Sequence, residues 1–180
     1  YLERRGVLGV NDMIDEAYYY GEMVGSISKN YDYDIIHGHD WMTYPAAMQS
    51  KRITGKPMVL HVHSTEFDRT LDGNTNQRIA DIEYEGLCQA DKVITVSGFT
   101  KGMIVDKYSI DSNKVKVVHN GVDLSAQRQY QISDEELASF ANNRKVVSFM
   151  GRLTAQKGPD YFVEIANRIA KEIPDVLFVL

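Results

Sequence analysis

Short apolar runs recur along this chain, each followed by a polar cluster and then by a segment with helical spacing. The runs are Asp34 to Gly38, Pro57 to Val62, Lys92 to Val96 and Lys114 to Val118. Each is too short for a helix and reads as a buried strand. Between them, Ala46 to Ile53, Ile79 to Gln89 and Met103 to Tyr108 read as helices. Ser97 is placed to cap the last of these. Ahead of the first strand, Asn11 is placed to cap a helix whose apolar face holds Ile14, Tyr18, Val24 and Ile27. Strand and helix in alternation predict an α/β fold, a parallel Rossmann-like sheet wound by helices. Such sheets bind ligands just beyond the carboxyl ends of their strands.

The pattern breaks once. Asp123 to Tyr130 is polar and has no strong period. The capping box at Ser133-Asp-Glu-Glu136 then starts a short helix. A new strand begins near Lys145. We therefore expect residues 1–125 to be part of one Rossmann-like domain, 126–144 a connection and 145–180 the start of a second. Val176 to Leu180 reads as a buried strand with no turn after it, and residue 1 is Tyr. The expectation is a piece of a longer protein, cut at both ends.

Composition narrows the function. The chain has 180 residues, of which 43% are hydrophobic, enough for a real core. Net charge is -5, which gives no electrostatic case for nucleic acid or an anionic membrane. No apolar run is long enough to span a bilayer. The one cysteine, Cys88, excludes an intrachain disulfide and suits a reducing compartment, hence the cytoplasm. It is read as a core residue rather than a nucleophile.

Polar residues gather where the ligand rim of the sheet is expected. His37, His39 and Asp40 follow the first strand, and His61, His63, Glu66 and Asp68 the second. Ser97 and Thr100 follow the third, and His119, Asn120, Gly121 and Asp123 the fourth. Each H-x-H pair could offer two imidazoles to a metal, with Asp40 or Glu66 beside them. Against that, a strand buried on both faces would point one pair into a helix layer. Histidines bonded to backbone are the commoner outcome, and no metal is expected. Asp32-Tyr-Asp34 could hold a cation, but it precedes its strand and lies at the wrong end of the sheet. Asn120-Gly121 marks a tight turn that could also line a cleft.

The sharpest signal comes late. The apolar run Val146 to Met150 ends in Gly151, and Arg152, Lys157, Gly158 and Pro159 follow. Pro159 is well placed at the first position of a helix. A strand, a tight basic loop and a helix N-terminus make an anion site, because free N–H groups and the helix dipole both favour negative charge. Two fixed cations there suit a diphosphate.

These residues together resemble a known family. GRLTAQKG at Gly151 to Gly158, HNGVD at His119 to Asp123, Val96-Ser97 and HGHDW at His37 to Trp41 look like the GT-B glycosyltransferases of family 4, the group containing bacterial and archaeal glycogen synthases. The resemblance runs from about Tyr33 onward. His119 stands where many members carry Pro.

The resemblance implies retaining transfer of a sugar, glucose first, from a nucleoside diphosphate donor to a carbohydrate or other acceptor hydroxyl. It implies no cofactor and no metal. Arg152 and Lys157 match the pair that neutralises the donor diphosphate, beside Gly151. His63 best matches the active-site histidine that contacts the transferring sugar, with His61 as the fallback. His39, Asp40 and Trp41 fall on the acceptor side, and Asn120 and Asp123 near the donor sugar. The family's opening glycine-rich loop and its paired glutamates are expected outside this stretch, so the chain alone is expected to be inactive. A nucleotide-sugar epimerase, a hydrolase on the same fold and a non-catalytic fragment remain as alternatives. A dinucleotide dehydrogenase is disfavoured, since no G-x-G-x-x-G follows any strand.

Overall fold

The computed structural model describes residues 12–70, 73–123, 133–142 and 144–180. The chain divides into two compact units, Tyr1–Gly121 and Val122–Leu180. Residues 126–132 and 143 of the connection expected between 126 and 144 lie outside the described residues.

The first unit opens with α1, Met13–Ser28. Asn11 lies outside the described residues, and the cap is Asp12, whose carboxylate accepts the N–H groups of Ile14 and Asp15 at 2.9 Å. The buried stripe also differs from the expected apolar face. Ile14, Ala17, Gly21, Gly25 and Ser28 face inward, while Tyr18 and Ile27 are exposed. The reason is close approach to the helix that follows β1. A Cβ on Gly21 would meet backbone and side-chain atoms of Pro45 at 3.0–3.1 Å, and one on Gly25 would overlap Gln49 Cγ at 2.2 Å. Only small residues fit the seam, so large apolar ones are displaced to its flanks.

Four parallel strands follow: β1 Ile36–His39, β2 Met58–Val62, β3 Lys92–Thr95 and β4 Val115–Val117, in spatial order β1-β2-β3-β4. The connections are α2 Tyr44–Thr54, then α3 Glu66–Arg69 with α4 Gln77–Gln89, then α5 Gly98–Tyr108. Right-handed crossovers between strands laid down in one direction put their helices on one face. Burial agrees. Met58, Leu60, Val62, Val93 and Val115 are buried and share one core with Tyr44 and Met48 of α2, Ile82 and Leu87 of α4, and Ile104 and Tyr108 of α5. The alternate positions, His37, His39, Val59, His61, Ile94 and Lys116, are half-buried or exposed. The expectation of a sheet buried on both faces fails on this point. Cys88 is likewise exposed, on the outer side of α4.

Local signals set the ends of these elements. Gly55 takes φ 69° and closes α2. Ser97 caps α5 by accepting the Thr100 N–H at 3.1 Å. Asp91 starts β2 from outside it: its carboxylate accepts the Met58 N–H at 2.7 Å and the Lys51 ammonium at 2.8 Å.

The second unit holds α6 Asp134–Ala141, β5 Lys145–Ser148, α7 Pro159–Glu172 and β6 Val176–Val179. The capping box is formed, with Ser133 Oγ accepting the Glu136 N–H at 3.2 Å and the Glu136 carboxylate accepting the Ser133 N–H at 2.9 Å. β5 and β6 pair in parallel. Their faces are exposed and half-buried, respectively, not the buried strands that their apolar composition suggested. Phe162 of α7 packs against Phe149 and Phe178, with ring centroids 5.4 and 6.0 Å away.

Candidate functional site

In the first unit, the carboxyl ends of β1 and β2 carry four of the five histidines. His37 and His39 sit two apart on β1, so they point the same way. His61 is the register partner of His39. The rings stack: His37 with His39 at 4.5 Å between centroids, and His61 with His63 at 4.4 Å. His39 Nδ1 and His63 Nε2 are 3.2 Å apart, so one of these nitrogens carries the shared hydrogen. Partial burial, and then the neighbouring imidazoles, push the His37 and His61 rings below the usual histidine range. Each pair therefore faces away from the helices, not into them.

Asp40 fixes this corner. It has φ 57° and ψ 166°, a region that is essentially reserved for glycine. Its surroundings hold it there. Its N–H donates to the His61 carbonyl at 3.0 Å, and its carbonyl accepts the Thr43 N–H at 3.0 Å. Its carboxylate accepts the His63 N–H at 2.8 Å. A strained backbone over-determined by bonds is characteristic of sites where geometry matters more than stability. Trp41 turns the other way and is buried in the core, so its ring supports the rim from behind.

The segment after His63 is anchored by a buried ionic network that the sequence reading did not foresee. Glu66 and Glu83 are both buried. Arg69 Nε bonds Glu66 at 3.2 Å and an Arg69 Nη bonds Glu83 at 2.7 Å. Glu83 also accepts the Glu66 N–H at 2.9 Å and the Tyr108 hydroxyl. Burial raises the Glu83 carboxyl above its ordinary range, against the pull of Tyr108, the Glu66 N–H and Arg69. The only hint in the sequence is a glutamate at a core position of α4, between Ile82 and Leu87. Glu66 and Asp68 are thus structural. Asp68 accepts the N–H and hydroxyl of Thr65 as a cap for α3.

Along the same rim, a His119 ring nitrogen lies 3.1 Å from the Val96 carbonyl oxygen, and Asn120 and Gly121 are exposed. Asp123 is exposed at the start of the second unit.

In the second unit the basic loop is wound by its own backbone. The Thr154 N–H donates to Arg152 O at 2.8 Å and the Lys157 N–H to Thr154 O at 2.9 Å, making a short 3-10 turn at Ala155–Lys157. Gly158, at φ 68°, ends that turn and opens α7. No side chain among the described residues caps α7, so its first N–H groups are open to a ligand or water. Lys157 Cγ lies 3.7 Å from the point where Gly151 would carry a Cβ. The Lys157 stem therefore runs over Gly151, and both Arg152 and Lys157 are exposed. Beside them a shallow depression of about 330 Å³ is lined by Leu153, Thr154, Ala155, Pro159, Asp160 and Val163, among others.

Residues 9–126 match the sequence profile of Glycosyltransferase Family 4. An uncharacterised glycosyltransferase of Methanocaldococcus jannaschii is 33% identical over 144 residues, which is 76% of this chain and 37% of that one. The alpha-maltose-1-phosphate synthase of Mycolicibacterium smegmatis is 34% identical over 155 residues, 81% of this chain and 39% of that one. This chain thus spans well under half the length of the curated relatives it matches. Among solved structures, the Anabaena protein HepE, crystallised with UDP-glucose, is similar in fold with a TM-score of 0.64 at 20% identity, over 88% of this chain and 42% of that one. No helix among the described residues is long and apolar enough to cross a membrane.

Proposed function

The chain belongs to Glycosyltransferase Family 4, and from that premise we propose that the whole protein transfers a sugar, glucose first, from a nucleoside diphosphate sugar to an acceptor hydroxyl with retention of configuration. The observation that carries this reading is the loop Gly151–Gly158, with Arg152 and Lys157 exposed on a wound turn that feeds the uncapped N-terminus of α7. The two cations and the free N–H groups offer a diphosphate both charge and donors. As the glycosidic bond breaks, negative charge grows on the leaving diphosphate, and groups already in place stabilise it without reorganising. The UDP-glucose bound by HepE agrees with such a donor.

His63 is assigned to the transferring sugar. Its backbone is fixed by Asp40 and its ring by His39, so its orientation is set before substrate arrives. His39 and Asp40 form the acceptor side, with the buried Trp41 supporting them from behind, and Asn120 and Asp123 serve the donor sugar. A glucan is the first acceptor to try, by the resemblance to glycogen synthases. Transfer needs no metal in this reading, and the location is cytoplasmic.

The test is a donor screen on the whole protein, by thermal shift and turnover, with UDP-glucose, ADP-glucose, GDP-mannose and UDP-GlcNAc, each with and without glucan. One donor that stabilises the protein and yields an anomer-retained glycoside supports the assignment. Free sugar as the product would make it a hydrolase. No shift with any nucleotide would remove the diphosphate loop.

A further inference from the structure

The histidine patch on the open face of the first sheet has a property beyond the acceptor contact proposed for His39. One nitrogen from each of His37, His39 and His61 lies within 4.8 Å of the other two. His61 Nε2 is buried and has no hydrogen-bond partner among the described residues. Buried polar atoms in native proteins are nearly always paired, so an orphan nitrogen on a ring of this cluster calls for a partner.

We propose that His37, His39 and His61 bind a borderline divalent cation of the zinc class. Three imidazoles with an open fourth position are a ligand set that zinc accepts. The strands that carry them are fixed by register, with His39 opposite His61. Tetrahedral bonds of about 2.0–2.1 Å place ligand nitrogens roughly 3.3 Å apart. The observed spread is wider than that, so metal binding draws the three imidazoles together. His63 stays outside the set, engaged with His39 at 3.2 Å.

The donor chemistry also selects the ion. Asp40 is taken by the His63 and Ser64 N–H groups, and Glu66 by Arg69 and the Asn76 N–H. No neighbouring carboxylate among the described residues completes an oxygen shell, which magnesium or calcium would need. An all-nitrogen site favours zinc, nickel or copper.

The site goes beyond the transferase reading and does not depend on it. The test uses tag-free protein stripped with a chelator and dialysed. Zinc is titrated by calorimetry and cobalt by visible absorption. The expected result is one ion per chain, with cobalt bands of low coordination number, and no displacement by millimolar magnesium. Losing only an outer-shell partner weakens metal sites by about 10–100-fold. His37→Asn and His61→Asn should therefore each weaken zinc binding by at least about 100-fold, while His119→Asn leaves it unchanged. Substoichiometric binding, or wild-type affinity in both variants, overturns the site. X-ray absorption on the zinc-loaded unaltered protein guards against misfolded variants. Three imidazoles support the site and one or none overturns it. Nucleotide-sugar thermal shifts on the same preparation read the transferase assignment separately, so each proposal can fail alone.

Discussion

The carboxylate of Asp40 accepts the backbone N–H of His63 at 2.8 Å, so the loop leaving β1 fixes the residue leaving β2. Asp40 holds this bond from a backbone conformation that costs about 1–3 kcal/mol for a residue with a Cβ. Asp40→Asn keeps an acceptor oxygen and should retain most stability. Asp40→Ala loses the acceptor and keeps the strain, a loss of about 1 kcal/mol for a bond that water can partly replace. Asp40→Gly loses the acceptor but relieves about 1–3 kcal/mol of strain, against about 0.5–1 kcal/mol of added chain entropy, and should be more stable than Asp40→Ala. Urea denaturation of the three variants checks the order, and Ala equal to Asn would deny the bond its role.

Arg152→Ala or Lys157→Ala should lower turnover by about 100-fold, the loss usual for one preorganised charge contact in a transition state. The measurement is kcat with the donor that the screen identifies. Wild-type kinetics in either variant would take that side chain off the diphosphate.

His63→Ala should damage turnover more than His61→Ala. The geometry gives a reason, since His63 is exposed at the rim and oriented from two sides, whereas His61 is half-buried between its neighbours. The reverse order would move the sugar contact to His61.

Asp91 predicts an acid limb in stability. Its carboxyl is held below the usual carboxylate range, first by Lys51 and then by the Met58 N–H. A depressed native value contributes stability that is present above the unfolded value, about 3.9 for aspartate, and lost as pH falls through the native one. Unfolding free energy of the wild type should therefore drop as pH falls below about 4. Asp91→Asn should be less stable near neutrality and show a shallower drop. Parallel curves from pH 7 to 2 would mean that the Lys51 pair contributes nothing through this titration.

What the sequence made legible was local. Ser97 and Ser133 announce helix starts because each accepts an N–H three residues on, and Pro159 because its fixed φ and missing N–H suit the first helical position. The four strands of the first sheet are readable because their apolar runs are short and bounded by polar clusters. What stayed hidden depends on partners far along the chain. Gly21 and Gly25 look like weak points in a helix until Pro45 and Gln49 are found against them. Glu83 reads as surface charge until Arg69 and Tyr108 meet it. The sequence points one histidine pair into a helix layer, whereas the helices of the first unit lie on the opposite face of its sheet. Trp41, read as a rim residue from its neighbours, is drawn into the core by the turn that Asp40 begins.

Gly158 ends one turn and begins the next helix at a single residue. The backbone donors of α7 and the Ala155–Lys157 turn are therefore already wound before any anion arrives. In the proposed donor site the ordering entropy of capture would then fall on two side chains, Arg152 and Lys157, at about 0.5–1.5 kcal/mol each. Association should run at the speed of encounter, without waiting for a loop to fold. Discrimination among donors should lie in how long each stays bound.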